Sequence, residues 1–246
     1  MENDELRIYR GEDYTVSKNI VIHQPTLDEI CRYGEQDYYS MVYQLTATPQ
    51  QLKVQLWDMG IDYTRITPFE LFSHFLYRLY PPEKTSILFG NLDFTEFRRL
   101  RRREDDAPVL CQTVDGSPVI IDAFTYTVIT DYLRQVHGIS KDERLPANEA
   151  TKMILIEDDR AEMEQSKGAE HHSQLKNLIS SMVNSEGFKY NHSQVWDMKI
   201  NAFMDSVKRI TRIKNAELLL QSGYSGYGIS LKDIDKNQIN WLGELD

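Results

Sequence analysis

The sequence predicts a mainly α fold with small β-hairpin elements, an α+β class with a helical C-terminal part. Three observations carry this. Apolar residues recur at helical spacing in several windows bounded by Pro and Gly. Two short stretches instead carry β-branched runs around turn residues. From about Asn148 onward, helical spacing dominates the rest of the chain.

The elements follow in order. "LRIYRGEDYTVSKNIVIHQP" reads as a hairpin, with Leu6 and Ile8 before a Gly11 turn and β-branched residues through Val21 and Ile22. Thr26 and Glu29 have the spacing of a capping box and open a helix expected from about Leu27 to Leu45 across Gly34. Thr48 and Pro49 restart a helix that Gly60 ends. Thr67 and Pro68 open another, with an aromatic and aliphatic face through Leu71, Phe72, Phe75 and Leu79 and a double proline as its stop. "PVLCQTVDGSPVIID" places two apolar runs around Asp115-Gly116, a hairpin signal. Asp122 caps a helix that Gly138 stops.

Residues 138–147 are polar, charged and contain Pro146, and are the predicted linker between a 1–137 α+β domain and a helical region 148–246. In that region a helix from Asn148 becomes very polar through "EDDRAEMEQSKGAEHHSQ" and is expected at the surface there. Apolar spacing returns at Leu175, Leu178, Ile179, Met182 and Val183, followed by a short turn of helix around Trp196. A long helix from Ile200 to about Gln221 carries Ile200, Phe203, Val207, Ile210 and Ile213 on one stripe, with Gly223 as its end.

Length and composition set bounds on function. A chain of 246 residues can bury a substantial core without disulfides or metal. Hydrophobic residues at 41% and charged ones at 27% are ordinary for soluble globular proteins and indicate neither disorder nor a membrane class. The excess of 38 Asp+Glu over 28 Lys+Arg disfavours nonspecific nucleic-acid binding. Cys31 and Cys111 stand alone without metal-ligand spacing, a usage that fits a reducing cytoplasm. The acidic N-terminal stretch lacks an apolar run of signal-peptide length, so the protein is expected to stay where it is made and off the membrane.

The most conspicuous cluster is "FRRLRRRE", where Arg98, Arg99, Arg101, Arg102 and Arg103 fill five of six positions. Phe94, Phe97 and Leu100 keep a three-residue spacing through it, which predicts an amphipathic helical element ringed by arginines. Asp93, Glu96, Glu104, Asp105 and Asp106 flank it, so pairing with local carboxylates is favoured over a phosphate grip, with an acidic protein partner or another copy of the same chain as the remaining use. His171-His172 lacks a second pair at helical spacing, and Asp158, Asp159, Glu162 and Glu164 read as a hydrated helix face, so no metal and no cofactor is expected. "GYSGYG" has neither a preceding strand nor a following Lys-Ser/Thr and reads as a helix end with an aromatic turn. No nucleophile motif is present, and no catalytic residue is assigned. Besides the arginines, Trp196, Phe203, Tyr224, Tyr227 and Trp241 are candidate partner-binding residues, since aromatic side chains anchor interfaces as well as cores.

The C-terminal run "MVNSEGFKYNHSQVWDMKINAFMDSVKRITRIKNAELLLQSGYSGYGI…INWLGEL" resembles a family of proteins encoded in tailed bacteriophages and prophages of Gram-positive hosts. So does "IHQPTLDEICRYGEQDYY…LTATPQQLKVQLWDMGIDY". Such proteins look like tail assembly chaperones. The resemblance implies a largely helical, self-associating, non-catalytic factor in the host bacterial cytoplasm, a possible homo-oligomer that binds tape-measure protein and tail-tube subunits. The chain is larger than the compact chaperones of the best-known phages. Two alternatives stand beside it: a nucleic-acid-binding or regulatory phage protein using the arginine cluster, and a structural component of the tail or neck.

Overall fold

The computed structural model describes residues 5–168, 172–225 and 234–245. In chain order its elements are α1 (Glu5–Tyr9), β1 (Tyr14–Ser17), β2 (Ile20–Ile22), α2 (Leu27–Tyr33), α3 (Glu35–Thr46), α4 (Lys53–Asp58), α5 (Pro68–Leu71), α6 (Pro82–Phe89), β3 (Arg98–Arg101), β4 (Pro108–Val114), β5 (Ser117–Ile121), α7 (Ala123–His137), α8 (Glu149–Gln165), α9 (Gln174–Val183), α10 (Ile200–Ser225) and α11 (Lys236–Ile239). The fold is mainly α with two small antiparallel sheets and a helical C-terminal part, as the periodicities predict.

The chain divides into two compact units, one of Met1–Gly11, Thr26–Asp28 and Ser173–Asp246, the other of Glu12–Pro25 and Glu29–His172. This division follows spatial contacts, whereas the 138–147 boundary follows composition; the structure groups α8 with the preceding helices. The reason is electrostatic as well as apolar. Ile156 is buried, Arg160 donates to both Asp58 carboxylate oxygens at 2.6 and 3.1 Å, Lys152 reaches Asp62 at 3.0 Å, and Lys53 pairs with Asp159.

In the second unit, local chemistry accounts for most element ends. The β1–β2 hairpin spans only Tyr14 to Ile22; Leu6 and Ile8 lie instead in α1, a correction to the longer hairpin. The single helix expected over 27–45 is two, because Gly34 takes φ +104° between α2 and α3, a conformation closed to residues with a Cβ. Thr67 and Glu70 form a reciprocal capping box at the start of α5. The helix then loosens into a π turn over Phe72–Leu76 and tightens into a 3-10 turn over Tyr77–Leu79. The double proline is not only a stop: Pro82 is the first residue of α6, where a missing N–H costs nothing. Asp115 at φ 48° and Gly116 at φ 73° make the tight turn between β4 and β5. Asp122 accepts from the Thr125 N–H at 2.8 Å to start α7, and Gly138 closes it.

An aromatic cluster holds this unit together. Phe72 stacks on Tyr126 with ring centroids 4.7 Å apart, and Phe94 packs edge-on against Phe72 at 6.0 Å and Phe89 at 5.0 Å. Beside it α3 and α7 share buried polar groups. His137 Nδ1 lies 2.7 Å from the Leu133 carbonyl, which makes Nδ1 the donor and leaves Nε2 to accept from the Tyr38 hydroxyl at 2.5 Å. Burial lowers the His137 pKa to about 4 and raises that of Tyr38, so the pair stays neutral at physiological pH.

The first unit is built on α10. Asn201 Nδ2 donates to the Ile8 carbonyl at 3.3 Å, the Leu27 N–H to Met198 at 3.0 Å, and Thr26 bridges to Lys199. Leu175, Ile179 and Met182 of α9 are buried, in keeping with their spacing. On the predicted α10 stripe, Ile200 and Phe203 are buried while Val207, Ile210 and Ile213 are half-buried. Gly223 does not end this helix, which runs on to Ser225.

Candidate functional site

The arginine cluster is a β-strand, which corrects the expected amphipathic helix. Asp93 Oδ1 accepts from the Thr95 N–H at 2.8 Å and caps a single 3-10 turn over Phe94–Glu96. That turn has three residues per revolution, so it alone accounts for the Phe94 and Phe97 spacing, and both rings are buried. The chain then leaves Phe97 extended (φ −65°, ψ 137°) and pairs with β4 in the register Arg98 with Cys111, Arg99 with Leu110, Leu100 with Val109 and Arg101 with Pro108. Leu100, the third residue of the supposed helical stripe, is 51% exposed.

Part of the charge is neutralised locally. In the hairpin after β3, Arg101 donates to Asp106 Oδ2 at 2.7 Å and to its carbonyl at 3.0 Å. Arg102 donates to Asp105 at 3.0 Å and has Asp122 at 3.5 Å. The Ala107 N–H and the Arg102 guanidinium hold Asp105 below the usual carboxylate range, and Asp105 in turn raises Arg102. Arg98, Arg99 and Arg103 are exposed and form no ion pair among the described residues. Burial and the nearby Arg99 charge both lower the pKa of His74.

β3 is an edge of the three-stranded sheet β3-β4-β5. The phase of its hydrogen bonds follows from the hairpin. The Arg102 N–H donates to the Ala107 carbonyl at 2.9 Å, and alternation by two then turns the backbones of Arg98 and Leu100 toward β4 and those of Arg99 and Arg101 outward. The β4–β5 register extends the side-chain rows across the sheet. Arg99 lies in a row with the buried Leu110 and Ile121, and Arg98 in a row with Cys111 and the half-exposed Ile120. One face of the strand therefore presents Arg98 and Leu100, and the other presents Arg99 and Arg101. Chemically these are hydrogen-bond donors and apolar surface, suited to recognition.

The remaining candidates lie in the other unit. Phe203 is fully buried and serves its core. Trp196 is half-buried with its ring 6.2 Å from His192, while Tyr224 and Trp241 are exposed at 76% and 48%. Tyr227 lies outside the described residues, as do His171 and the second half of "GYSGYG". Sequence reasoning missed two residues here. Arg209 donates to the Trp241 and Gly243 carbonyls at 2.6 and 2.8 Å, and Arg212 to the carbonyls of Asn240 and Asn237, each at 3.1 Å, and of Glu244. Their three-residue spacing beside the Ile stripe was the available signal. Next to them an open cleft of about 910 Å3 is lined by Val207, Thr211, Arg212, Leu218, Asp235 and Gln238.

Among the described residues, no three His, Cys, Asp or Glu side chains group as a metal site, and no helix is long and apolar enough to cross a membrane. Residues 165–246, the span that holds α9, α10 and α11, match the family model described as YomV second domain. That match supports a phage or prophage origin for the protein. No curated protein and no solved structure matches the chain.

Proposed function

We propose that the protein is a phage-encoded assembly factor that works by binding other proteins rather than by catalysis. Under this reading it works in the manner of the tail assembly chaperones, with the tape-measure protein and tail-tube subunits as partners and the host bacterial cytoplasm as its place of action. The observation that carries the reading is the family match over residues 165–246, which supports the phage origin. The exposed guanidinium and apolar side chains along β3, and the exposed Tyr224 and Trp241, supply surface of the kind that protein recognition uses. Co-expression with tape-measure segments and tail-tube protein from the same phage tests it. Stable co-purification is the expected result, and no association at micromolar concentration overturns it.

A second reading rests on Arg98, Arg99 and Arg103, which form no ion pair among the described residues: a nucleic-acid-binding phage protein. It requires salt-sensitive binding that charge reversal at these positions abolishes. Absence of any shift with DNA or RNA at low salt removes it.

A further inference from the structure

We infer that the free edge of β3 is a docking site for an acidic, extended segment of a partner protein, which adds to the sheet as a fourth strand. The inference rests on the reading that this protein works by binding other proteins, and it names the chemistry of one partner surface.

Four features point to it. The outward N–H and C=O groups of Arg99 and Arg101 make no backbone hydrogen bond beyond the sheet among the described residues, so the edge offers donors and acceptors at strand spacing. Every residue of β3 is exposed. Guanidinium groups flank the edge on both faces, Arg98 on one and Arg99 on the other, with Arg103 at the adjoining turn, and none of the three forms an ion pair among the described residues. Leu100, 51% exposed, places apolar surface next to Arg98 on one face of the strand.

The type of occupant follows from charge and shape. Two copies of this edge repel each other, because arginines on each would face arginines on the other; the same residues that block self-pairing select a strand of opposite charge. A phosphate backbone meets the guanidiniums but lacks the alternating amide groups that would satisfy Arg99 and Arg101. It also gains nothing from Leu100. A peptide alternating acidic and apolar residues satisfies all three: main-chain hydrogen bonds along the edge, carboxylates on the Arg99 face and apolar contact with Leu100 on the other.

The test uses the full-length chain and fluorescence anisotropy with four probes: a labelled hexapeptide of alternating Glu and Val, the same peptide N-methylated on alternate amides, its Lys-Val counterpart, and an oligothymidylate of equal length. The expected result is saturable binding of the Glu-Val peptide, weakened about tenfold or more by R98E/R99E and to a similar degree by N-methylation. Both substituted positions are exposed, and an unchanged thermal unfolding curve confirms that the variant is folded. Undiminished binding of the N-methylated peptide overturns strand addition. Equal binding of the Lys-Val peptide overturns the charge selection, and tighter binding of oligothymidylate overturns the peptide partner. If the Glu-Val peptide fails to bind while the chain still co-purifies with a tail protein, the docking edge is wrong and the assembly function stands. If the peptide binds while no tail protein co-purifies, the reverse holds.

Discussion

The two units of this protein hold themselves together by different means. In the unit of residues 12–25 and 29–172, large rings and buried hydrogen bonds dominate: Tyr38, Tyr63, Phe72, Phe94, Phe97 and Tyr132 are all essentially fully buried. In the other unit, Ile200, Phe203 and Ala216 are the buried residues of the 26-residue helix α10, and its C-terminal segment is gripped by two arginines that donate to main-chain carbonyls. The first design resists local change until it fails as a whole. The second has parts that can detach one at a time, because few apolar contacts make them cooperative with the rest.

The sharpest way to break the contrast is Phe72→Ala. Phe72 stacks on Tyr126 and meets Phe94 edge-on, so truncation leaves a large void among rings that cannot collapse into it. The expected loss is about 3–5 kcal/mol in denaturant unfolding. Amide exchange in α7 should accelerate with it, since Tyr126 lies on that helix. A loss below about 1 kcal/mol would show that the cluster is not the keystone of its unit.

Acid should act next most strongly, again on the ring-rich unit. His137 has a pKa of about 4 in the fold against an ordinary 6.5, because burial penalises the imidazolium. A lowered histidine pKa means that the unfolded chain takes up the proton first; the contribution is whole above pH 6.5 and is lost as pH falls toward 4. The gap corresponds to about 3 kcal/mol. Asp62, held at about 2 chiefly by its hydrogen bond from the Thr64 hydroxyl, adds loss in the same direction at lower pH. Comparing denaturant unfolding at pH 7 and 4.5 isolates the histidine if the double variant Tyr38→Phe/His137→Leu, which removes both partners of the buried hydrogen bond, is run beside the wild type. The variant should lose about 2–3 kcal/mol less on acidification; equal losses would refute the assignment.

How much of this was legible depends on whether the determining interaction is local. The Asp115-Gly116 hairpin, the Thr67 and Glu70 capping box and the limits of α7 at Asp122 and Gly138 could be read directly, because each is decided within four residues. The conformation of the arginine cluster could not. Its Phe94, Phe97 and Leu100 spacing fits a helix, and the choice of strand comes from pairing with Pro108–Cys111, which no local pattern shows. The break at Gly34 lay in plain sight as a glycine, yet its positive φ is a tertiary outcome. As for the candidate site, the arginines and their acidic flanks were visible, and Arg101 and Arg102 do meet Asp106 and Asp105. That Arg98 and Arg99 straddle a free edge required the register. Arg209 and Arg212 escaped notice for another reason: their acceptors are main-chain carbonyls, which every residue type carries.

Those two arginines give the finest test of the contrast. Arg212 spreads three nitrogens over the carbonyls of Asn237, Asn240 and Glu244, a fork that fits several acceptors at once and that a lysine ammonium cannot reproduce. Arg212→Ala should therefore loosen residues 236–244 while leaving α10 helical. The readout is hydrogen exchange at the Asn240 and Gly243 amides, which bond to the Lys236 and Asn240 carbonyls at 3.1 Å each. Exchange there should rise about tenfold, while global stability changes by about 1 kcal/mol or less because the segment can detach alone. Arg212→Lys should behave like Arg212→Ala rather than like the wild type. Should global stability instead fall as far as it does for Phe72→Ala, the C-terminal segment would be part of a cooperative core, and the two units would share one mode of stabilisation after all.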